Sequence, residues 1–409
     1  MAGRRVVLAF SGGLDTSYCV AWLREAGYEV HTVSVQTGGF DPDELGRIEA
    51  RAIELGAETH QVIDAREELF ERSLKYLIFG NCLRGGAYPL CVSAERMAQA
   101  RHCAAYALEV GAVAIAHGST GAGNDQARFD IAFRCVAPRL EILTPIRSQG
   151  LSREQTTGYL RERGFEVQAK TTKYSINRGL WGVTIGGGDT HRSETPIPEE
   201  AYVITRGPGD WPGAAREVEI SFEQGVPVAL NGERIAPVAL LEALELMAAE
   251  HGIGRGTHVG DTILGIKGRI AFEAPAAVTL IAAHRELEKL VLSRQQAFWK
   301  QTLGELYGAM THEARYFDPL ARDLEAFLAS SQRHVTGKAR VKLFAGQANV
   351  VATESPYSMM NPEVATYGET ARTWNGAEAA AFVKLYGLQD MLAQRAAAIG
   401  DAASGKDER

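Results

Sequence analysis

Along the first 165 residues, short strand-like runs of hydrophobic residues alternate with segments in which hydrophobic residues recur at helical spacing. Short runs of β-forming residues predict strands, and the segments between them carry apolar residues at helical spacing, which predicts amphipathic helices. The predicted strands cover 5–10, 28–35, 58–63, 112–117 and 140–143. The predicted helices cover 14–26, 43–56, 67–79 and 92–110, and a further helix starts at a capping box formed by Ser152 and Gln155. This alternation predicts an α/β fold, with a parallel sheet covered by helices on both faces over residues 1–165.

The pattern changes after residue 165. Residues 170–216 are rich in Gly, Thr, Pro and Trp and show little periodicity. Strand-forming residues flank the turn Asn231-Gly232, helices are predicted at 237–251, 278–308 and 318–332, and a hairpin is predicted at 339–344 and 348–353. These separate runs of strands and helices predict a second, α+β domain over 166–375.

The end of the chain contains one more predicted helix, within 376–400, with an apolar face. Packing on its own domain and docking on another subunit fit this pattern equally well from the residues alone. The small, charged segment 401–409 is predicted to be disordered.

Composition narrows the class of protein. The 409 residues carry a net charge of −7, which argues against a nucleic-acid partner, and no apolar run reaches the length of a membrane span. The N-terminus enters a predicted core strand within a few residues, so we expect no signal peptide. The five cysteines form no Cys-x-x-Cys pair and are interpreted as reduced, buried thiols. Together these features predict a two-domain cytoplasmic enzyme acting on small molecules.

The most informative segment follows the first predicted strand. A Ser-Gly-Gly turn leads into a helix and offers backbone N–H groups, hydroxyls and the Asp15 carboxylate, but no lysine. N–H groups at a helix N-terminus bind phosphates, and a carboxylate there suits Mg²⁺ on a pyrophosphate. This segment resembles the loop of ATP pyrophosphatases, which cleave ATP between its α- and β-phosphates. The alternative is a tight strand–helix turn with a capping serine, which the complete string of residues disfavours.

A second polar segment follows the fourth predicted strand. Three glycines there allow close approach of the backbone to a ligand, and Thr120, Asn124, Asp125 and Arg128 supply a hydroxyl, an amide, a carboxylate and a guanidinium. This set suits an amino acid ligand. The alternative is a polar helix start with Asn124 as its N-cap. His117, at the end of the strand, is interpreted as structural rather than as a general base.

The two segments together resemble argininosuccinate synthase, and the likeness extends nearly end to end. It includes these further stretches: 88–96, 173–175, 252–255, 265–269, 334–337 and 354–358. The resemblance implies an ATP- and Mg²⁺-dependent ligase that makes argininosuccinate from citrulline and aspartate, releases AMP and pyrophosphate, and forms a homotetramer. It also implies an N-terminal domain of the adenine nucleotide alpha hydrolase type, a second domain over 166–375 that carries the substrates, and an extended C-terminal oligomerisation helix over 376–400.

The resemblance assigns site residues by position. The implied ATP set is Ala9, Phe10, Ser11, Gly12, Gly13, Leu14, Asp15, Thr16, Ser17, Val35 and Gly118. The implied aspartate set is Thr120, Asn124 and Asp125. The implied acceptor set is Tyr88, Ser93, Asn124, Arg128, Ser175, Thr184, Gly260 and Phe272. Asp15, Asp125 and Arg128 are expected to be the catalytic groups, with Asp15 as the metal ligand.

Departures from the family are concentrated in the acceptor set. Gly260 stands where the family has a glutamate, with Asp261 beside it, and Phe272 stands where the family has a tyrosine. Cys91-Val92 replaces a Gly-Thr pair. Two hypotheses follow: the acceptor is citrulline, with Asp261 substituting for the missing carboxylate, or the enzyme uses another ureido or amide acceptor in specialised metabolism. A tRNA-modifying enzyme and a non-catalytic paralogue fit the sequence less well.

Overall fold

The computed structural model describes residues 3–167 and 173–403. The chain divides into two compact units, one that ends at Tyr357 and one that begins at Ser358. The predicted domain boundary at residue 165 falls inside the first unit and stays a prediction. Among the described residues, no helix combines the length and the apolar character needed to cross a membrane.

The N-terminal part contains a five-stranded parallel sheet in the order β3-β2-β1-β4-β5. Its strands are β1 Arg4–Ala9, β2 Tyr28–Gln36, β3 Thr59–Asp64, β4 Ala114–Ala116 and β5 Glu141–Leu143. Val6 and Leu8 pack into a core on one face of the sheet, and Val7 and Ile115 pack into a core on the other. The predicted α/β fold with helices on both faces is confirmed.

Eight helices accompany this sheet in the described residues. They are α1 Leu14–Glu25, α2 Pro42–Glu54, α3 Arg66–Leu69, α4 Lys75–Phe79, α5 Ser93–Glu109, α6 Asp125–Val136, α7 Pro145–Gln149 and α8 Arg153–Glu162. The capping box of Ser152 and Gln155 is present at α8. The single helix predicted over 67–79 is interrupted by a π-helical turn at Phe70–Leu74, which apolar spacing alone does not reveal.

The rest of the first unit contains two antiparallel sheets. The four-stranded sheet has the order β11-β12-β7-β6, and the five-stranded sheet has the order β10-β9-β8-β13-β14. The strands are β6 Ser175–Gly179, β7 Gly182–Gly186, β8 Arg216–Glu223, β9 Val226–Leu230, β10 Glu233–Arg234, β11 Arg255–Asp261, β12 Lys267–Glu273, β13 Gly337–Phe344 and β14 Gln347–Glu354. The predicted α+β character and the hairpin at 339–353 are confirmed.

Four helices cover these sheets: α9 Pro237–Glu250, α10 Pro275–Val291, α11 Arg294–His312 and α12 Pro319–Ser331. The prediction of one helix over 278–308 is wrong, because the chain breaks at Leu292 and Ser293. The Ser293 side chain accepts a hydrogen bond from the Gln296 N–H, and the Gln296 side chain accepts one from the Ser293 N–H. This capping box starts a new helix although the apolar spacing continues.

The second unit contains β15 Ala365–Thr366, β16 Thr370–Ala371, α13 Gly376–Tyr386 and α14 Leu388–Ala403. The predicted C-terminal helix is therefore two helices, separated at Gly387. Large apolar side chains on both helices are exposed, among them Phe382, Leu385 and Leu392. The last helix continues three residues into the segment predicted to be disordered, and residues 404–409 lie outside the described residues.

The cysteines agree with the sequence interpretation except at one position. All five are free thiols, and Cys19, Cys82, Cys91 and Cys103 are buried. Burial raises the pKa of the Cys82 and Cys103 thiols to about 12, which makes them unreactive. Cys135, near the end of α6, is exposed, so the prediction that it is buried is wrong.

Candidate active site

The phosphate loop lies between β1 and α1. Gly12 has φ of +70°, a conformation that favours glycine, and Gly13 occupies the N-cap position of α1 without a side-chain cap. Within the loop, the Ser11 N–H donates a hydrogen bond to Thr16 Oγ1 at 3.4 Å. The Thr16 hydroxyl donates to the Gly13 carbonyl oxygen at 3.2 Å. The alternative of a serine-capped turn is not observed. The first N–H groups of α1 therefore have no capping side chain and suit an anionic ligand.

Gly118 brings the end of β4 against this loop. A Cβ atom at Gly118 would lie 3.1 Å from Thr16 Cγ2 and 3.3 Å from the Thr16 nitrogen, so only glycine allows this approach without a shift. Val35, at the end of β2, is buried beside the same edge of the sheet. The residues implied for ATP thus lie at the carboxyl ends of β1, β2 and β4, where ligands bind in parallel sheets.

Asp15 lies in the first turn of α1 and is partly buried. Burial raises the pKa of its carboxyl, and the positive charge of Arg153 partly offsets this. Among the described residues, no group donates a hydrogen bond to it. A lone carboxylate beside a phosphate loop fits Mg²⁺, which takes one or two carboxylates together with phosphate oxygens and water.

Asp125 and Arg128 form the centre of a charged network at the start of α6. Asp125 accepts hydrogen bonds from Arg96 at 3.0 Å and from Arg128 at 3.1 Å. Burial alone would raise the pKa of Asp125, but the two guanidinium groups more than offset it and the pKa lies below its ordinary value. Arg128 also donates to Ser93 Oγ at 3.1 Å and to the His312 carbonyl at 3.2 Å.

Asn124 and Thr120 take different positions in the preceding loop. Asn124 occupies the N-cap position of α6, as the alternative interpretation placed it, but its backbone is helical and its side chain makes no capping hydrogen bond. Its Oδ1 instead accepts a hydrogen bond from the Ile263 N–H at 2.8 Å, which attaches the turn between β11 and β12 to this loop. Thr120 is exposed at the surface of the loop.

The four-stranded sheet brings the remaining acceptor residues to one face. Thr184 pairs with Phe272 across β7 and β12 and with Asn177 across β6 and β7. Because paired residues in antiparallel strands share a face and faces alternate along a strand, Ser175 and Gly260 lie on that same face. Arg96 donates to Asn177 Oδ1 at 2.7 Å, which joins this face to the Asp125 network.

Aromatic rings cover one end of this face. Tyr88 is buried, its hydroxyl donates to the Cys91 carbonyl at 2.7 Å, and its ring lies 5.2 Å from that of Phe272. His258 stacks on Tyr88, with ring centroids 5.4 Å apart and an interplanar angle of 24°. Sequence reasoning missed His258. The sequence contains a signal for it, because residues 256 and 260, two positions to either side of His258, are glycines. His258 is therefore the one residue on this face of β11 that is not a glycine.

Asp261 does not substitute for a carboxylate at position 260. It pairs with Lys267 in the strand register, whereas Gly260 pairs with Gly268, so its side chain lies on the opposite face. Its carboxylate binds the Lys267 ammonium at 2.8 Å and is about half exposed. Only its carbonyl oxygen takes part in the site, accepting hydrogen bonds from Arg84 and His312, each at 3.1 Å.

The loop before α5 is strained. Val92 precedes the helix with φ of +69°, and Leu90 has φ of +68°. Positive φ is unfavourable for a β-branched residue, and such strain is held in place by surrounding contacts. Here Cys91 is fully buried between these residues and its carbonyl receives the Tyr88 hydroxyl. The loop thus holds Tyr88 and Ser93 in fixed positions on either side.

His117 makes structural contacts. Its Nδ1 accepts a hydrogen bond from the Ser119 N–H at 3.1 Å, and its Nε2 lies 2.9 Å from Asp130 Oδ1. Arg147 also donates to Asp130, at 2.9 Å. Since both ring nitrogens are engaged within the protein, the interpretation of His117 as structural agrees with these contacts.

Two family models cover nearly the whole chain. The arginosuccinate synthase N-terminal HUP domain matches residues 5–166, and the arginosuccinate synthase C-terminal domain matches residues 174–393. The chain belongs to the argininosuccinate synthase family. This confirms the resemblance drawn from the sequence, and it agrees with the placement of the phosphate loop in the N-terminal sheet.

Curated relatives support the same assignment over their full length. The argininosuccinate synthase of Xanthomonas campestris is 41% identical over 396 residues, which is 96% of this chain and 98% of the relative. That of Methanocaldococcus jannaschii is 41% identical over 390 residues, 95% of this chain and 98% of the relative. A solved structure titled as a predicted subunit of tRNA methyltransferase from Methanocaldococcus jannaschii covers 42% of this chain and 80% of its own, at 19% identity and a TM-score of 0.27, which is too low to bear on fold or function.

Proposed function

We propose that this protein is an ATP-dependent carbon–nitrogen ligase that joins aspartate to the ureido carbon of citrulline and forms argininosuccinate, AMP and pyrophosphate. The observation that carries the proposal is the chain of contacts from Asn177 through Arg96 and Asp125 to Arg128. It joins the acceptor face of the four-stranded sheet to the loop that follows β4, beside the phosphate loop. Three substrates can therefore meet at one place.

The chemistry needs positioning more than a covalent intermediate. The ureido oxygen attacks the α-phosphorus of ATP, pyrophosphate leaves, and the amine of aspartate then displaces AMP from the adenylated ureido carbon. A ureido oxygen is a weak nucleophile, so alignment of the reactants and neutralisation of the leaving group supply most of the rate. The N–H groups of the loop from Ser11 to Ser17 would hold the departing pyrophosphate, and Asp15 would hold Mg²⁺, which would supply positive charge to neutralise it.

The amino acid donor is assigned to the segment 120–125. Asn124 and Thr120 offer an amide and a hydroxyl for the aspartate carboxylates, and Asp125 orients the aspartate ammonium. Arg96 and Arg128 keep Asp125 ionised, as its lowered pKa indicates. An ionised carboxylate is required if an ammonium is to be recognised here.

Two further parts of the proposal concern the whole protein. We propose a homotetramer, supported by the exposed apolar side chains on α13 and α14, such as Phe382 and Leu385. We propose the cytoplasm as its compartment, because the five cysteines are all free thiols.

The function is tested by product analysis. The purified protein is incubated with ATP, Mg²⁺, aspartate and citrulline, and nucleotides are separated by chromatography. AMP and pyrophosphate are expected in equal amounts, with argininosuccinate as the third product and dependence on all substrates. Formation of ADP, or equal activity when glutamate or ammonia replaces aspartate, would contradict the proposal.

Asp125→Asn is expected to raise the KM for aspartate at least about tenfold, ~1.4 kcal/mol, while the KM for ATP changes less than about threefold. The amide keeps the shape of the side chain but loses the charge that an ammonium needs. Asp130→Asn is the matched control, since Asp130 lies on the same helix and pairs with Arg147. Equal changes in both KM values, or the same result in the control, would contradict the assignment.

A further inference from the structure

The acceptor side of the site contains buried polar atoms that have no partner among the described residues. They are Nε2 of His258, Nδ1 of His312 and Nε of Arg128. The Arg128 Nε–H is a donor and therefore suits an oxygen atom. His312 donates through Nε2 to the Asp261 carbonyl, so its Nδ1 in the neutral ring is an acceptor that suits an N–H group.

The ring of His258 fills the space that a side chain at position 260 would use. A Cβ atom at Gly260 would lie 2.5 Å from His258 Nε2, and one at Gly85 would lie 3.1 Å from His258 Cε1. With Tyr88 stacked on its face, the imidazole is enclosed by the β11 backbone, the 84–88 loop and an aromatic ring. In the residues that the structure describes, this end of the site is therefore closed by His258 and Tyr88 and contains no carboxylate.

The carboxylates that border the sheet are engaged with other partners, and the proposed function assigns Asp125 to the ammonium of aspartate. Asp125 binds two guanidinium groups, Asp189 binds the Lys173 ammonium at 2.5 Å and the Tyr174 hydroxyl, and Asp261 binds Lys267 on the opposite face. Glu95 is fully buried against Gly179 and receives the Trp181 N–H at 3.2 Å. Burial raises the pKa of Glu95 and so favours its neutral acid.

The remaining charges near the acceptor face are mostly positive. The acceptor face is surrounded by three arginines, Arg84, Arg96 and Arg128. In the described residues, Asp125 is the one carboxylate that forms a salt bridge with any of these three arginines. Burial and the charge of Arg84 lower the pKa of His258, and burial with Arg128 and Arg84 lowers the pKa of His312 to about 4. Both rings are thus neutral at pH 7 and supply no counter-charge to an ammonium.

We infer that this site recognises the uncharged N–H groups and the oxygen atoms of its acceptor and leaves an ammonium unrecognised, with His258 as the residue that sets this selectivity. The enzyme therefore accepts ω-ureido acids with and without an α-amino group. The inference rests on the proposed function, because it places the acceptor on the face that carries Thr184 and Phe272. It extends the substrate class beyond citrulline.

The test compares two acceptors that differ only in the amino group, citrulline and 5-ureidopentanoic acid. Aspartate- and ATP-dependent pyrophosphate release gives kcat/KM for each. For the unmodified protein we expect the two values to agree within about threefold. A buried carboxylate that paired with the ammonium would instead give a preference for citrulline of at least about 30-fold.

A double variant tests the role of His258. His258→Ala with Gly260→Glu frees the space over position 260 and places a carboxylate in it, and it is expected to raise the preference for citrulline at least about tenfold. Val259→Glu is the matched control, because Val259 lies on the opposite face of the same strand and is exposed. It adds the same charge and should leave the preference unchanged.

The outcomes separate the inference from the proposed function. A wild-type preference for citrulline of at least about 30-fold overturns the inference while citrulline turnover still supports the function. Turnover of 5-ureidopentanoic acid without turnover of citrulline overturns the proposed acceptor and also the inference that the amino group makes no difference, while aspartate-dependent ligation stands. Absence of pyrophosphate release with both compounds overturns both. If the double variant fails to fold, as its melting temperature and its KM for ATP would show, the wild-type ratio decides.

Discussion

Replacing Asp15 by alanine is expected to lower the rate of pyrophosphate release at least about 100-fold, a loss of ~2.7 kcal/mol in transition-state stabilisation. Asp15 is the carboxylate in the first turn of α1, beside the N–H groups that we propose to bind the phosphates. Its partial burial and the lack of a hydrogen-bond donor to it in the described part of the chain indicate a group reserved for a ligand. Without it the negative charge on the departing pyrophosphate would be neutralised only by the loop N–H groups and the helix dipole.

The measurement is single-turnover conversion of ATP to AMP at saturating aspartate and citrulline, repeated over a range of Mg²⁺ concentrations. Asp15→Asn should show nearly the same defect as Asp15→Ala, because an amide is a poor substitute for a carboxylate at Mg²⁺. Asp43→Ala is the matched control: Asp43 is an exposed aspartate in the first turn of α2. A loss of less than about fivefold at Asp15, or an equal loss at Asp43, would contradict the assignment.

The sequence predicted the N-terminal sheet well because each strand is a short apolar run followed by an amphipathic helix, and these are local signals. It did not predict where helices break. At Ser293 and Gly387 apolar residues keep their spacing across the break, so periodicity alone describes one long helix. The breaks come from a capping box and from a glycine at a helix C-cap, which are weaker signals than periodicity.

Only those parts of the candidate site that directly follow the end of a predicted strand could be predicted from the sequence. The loops at 11–17 and 118–128 follow β1 and β4 directly, so their shared edge of the sheet could be inferred from chain order. The participation of Arg96, Arg84 and His312 in the site could not be inferred, because each contacts residues that are distant in the sequence. The wrong expectation for Asp261 has the same origin: neighbouring residues on a strand face opposite sides, and the strand itself was not predicted.

The largest effect on stability is expected from Lys300→Met, which should lower the free energy of unfolding by about 3–5 kcal/mol. Lys300 is 2% exposed and binds Glu288 Oε2 at 2.6 Å. Burial lowers the pKa of Lys300 and the Glu288 carboxylate opposes this, as expected for an enclosed pair. Removing the lysine leaves a buried carboxylate without a counter-charge, and the remaining donors to it, Asn81 and Gln332, are neutral amides.

Urea unfolding monitored by circular dichroism measures the change. Lys300→Met combined with Glu288→Gln should recover at least about half of the loss, because the amide removes the unpaired charge while its oxygen still accepts from one of the two donating amides. Lys289→Met is the matched control, since Lys289 pairs with Glu286 at 2.5 Å on the surface and should lose less than about 1 kcal/mol. Equal losses at Lys300 and Lys289, or no recovery in the double variant, would contradict this account.

Lys300→Met is also expected to weaken the binding of citrulline more than the binding of ATP. Asn81 belongs to the network of Lys300 and Glu288, and it lies three residues before Arg84 at the start of the loop that carries Tyr88. Loss of the buried pair should therefore loosen this loop, whereas the phosphate loop packs in a separate core. At temperatures where Lys300→Met is still folded, the KM for citrulline should rise while the KM for ATP stays within about twofold. Parallel increases in both values would show that the network stabilises the protein without positioning the acceptor loop.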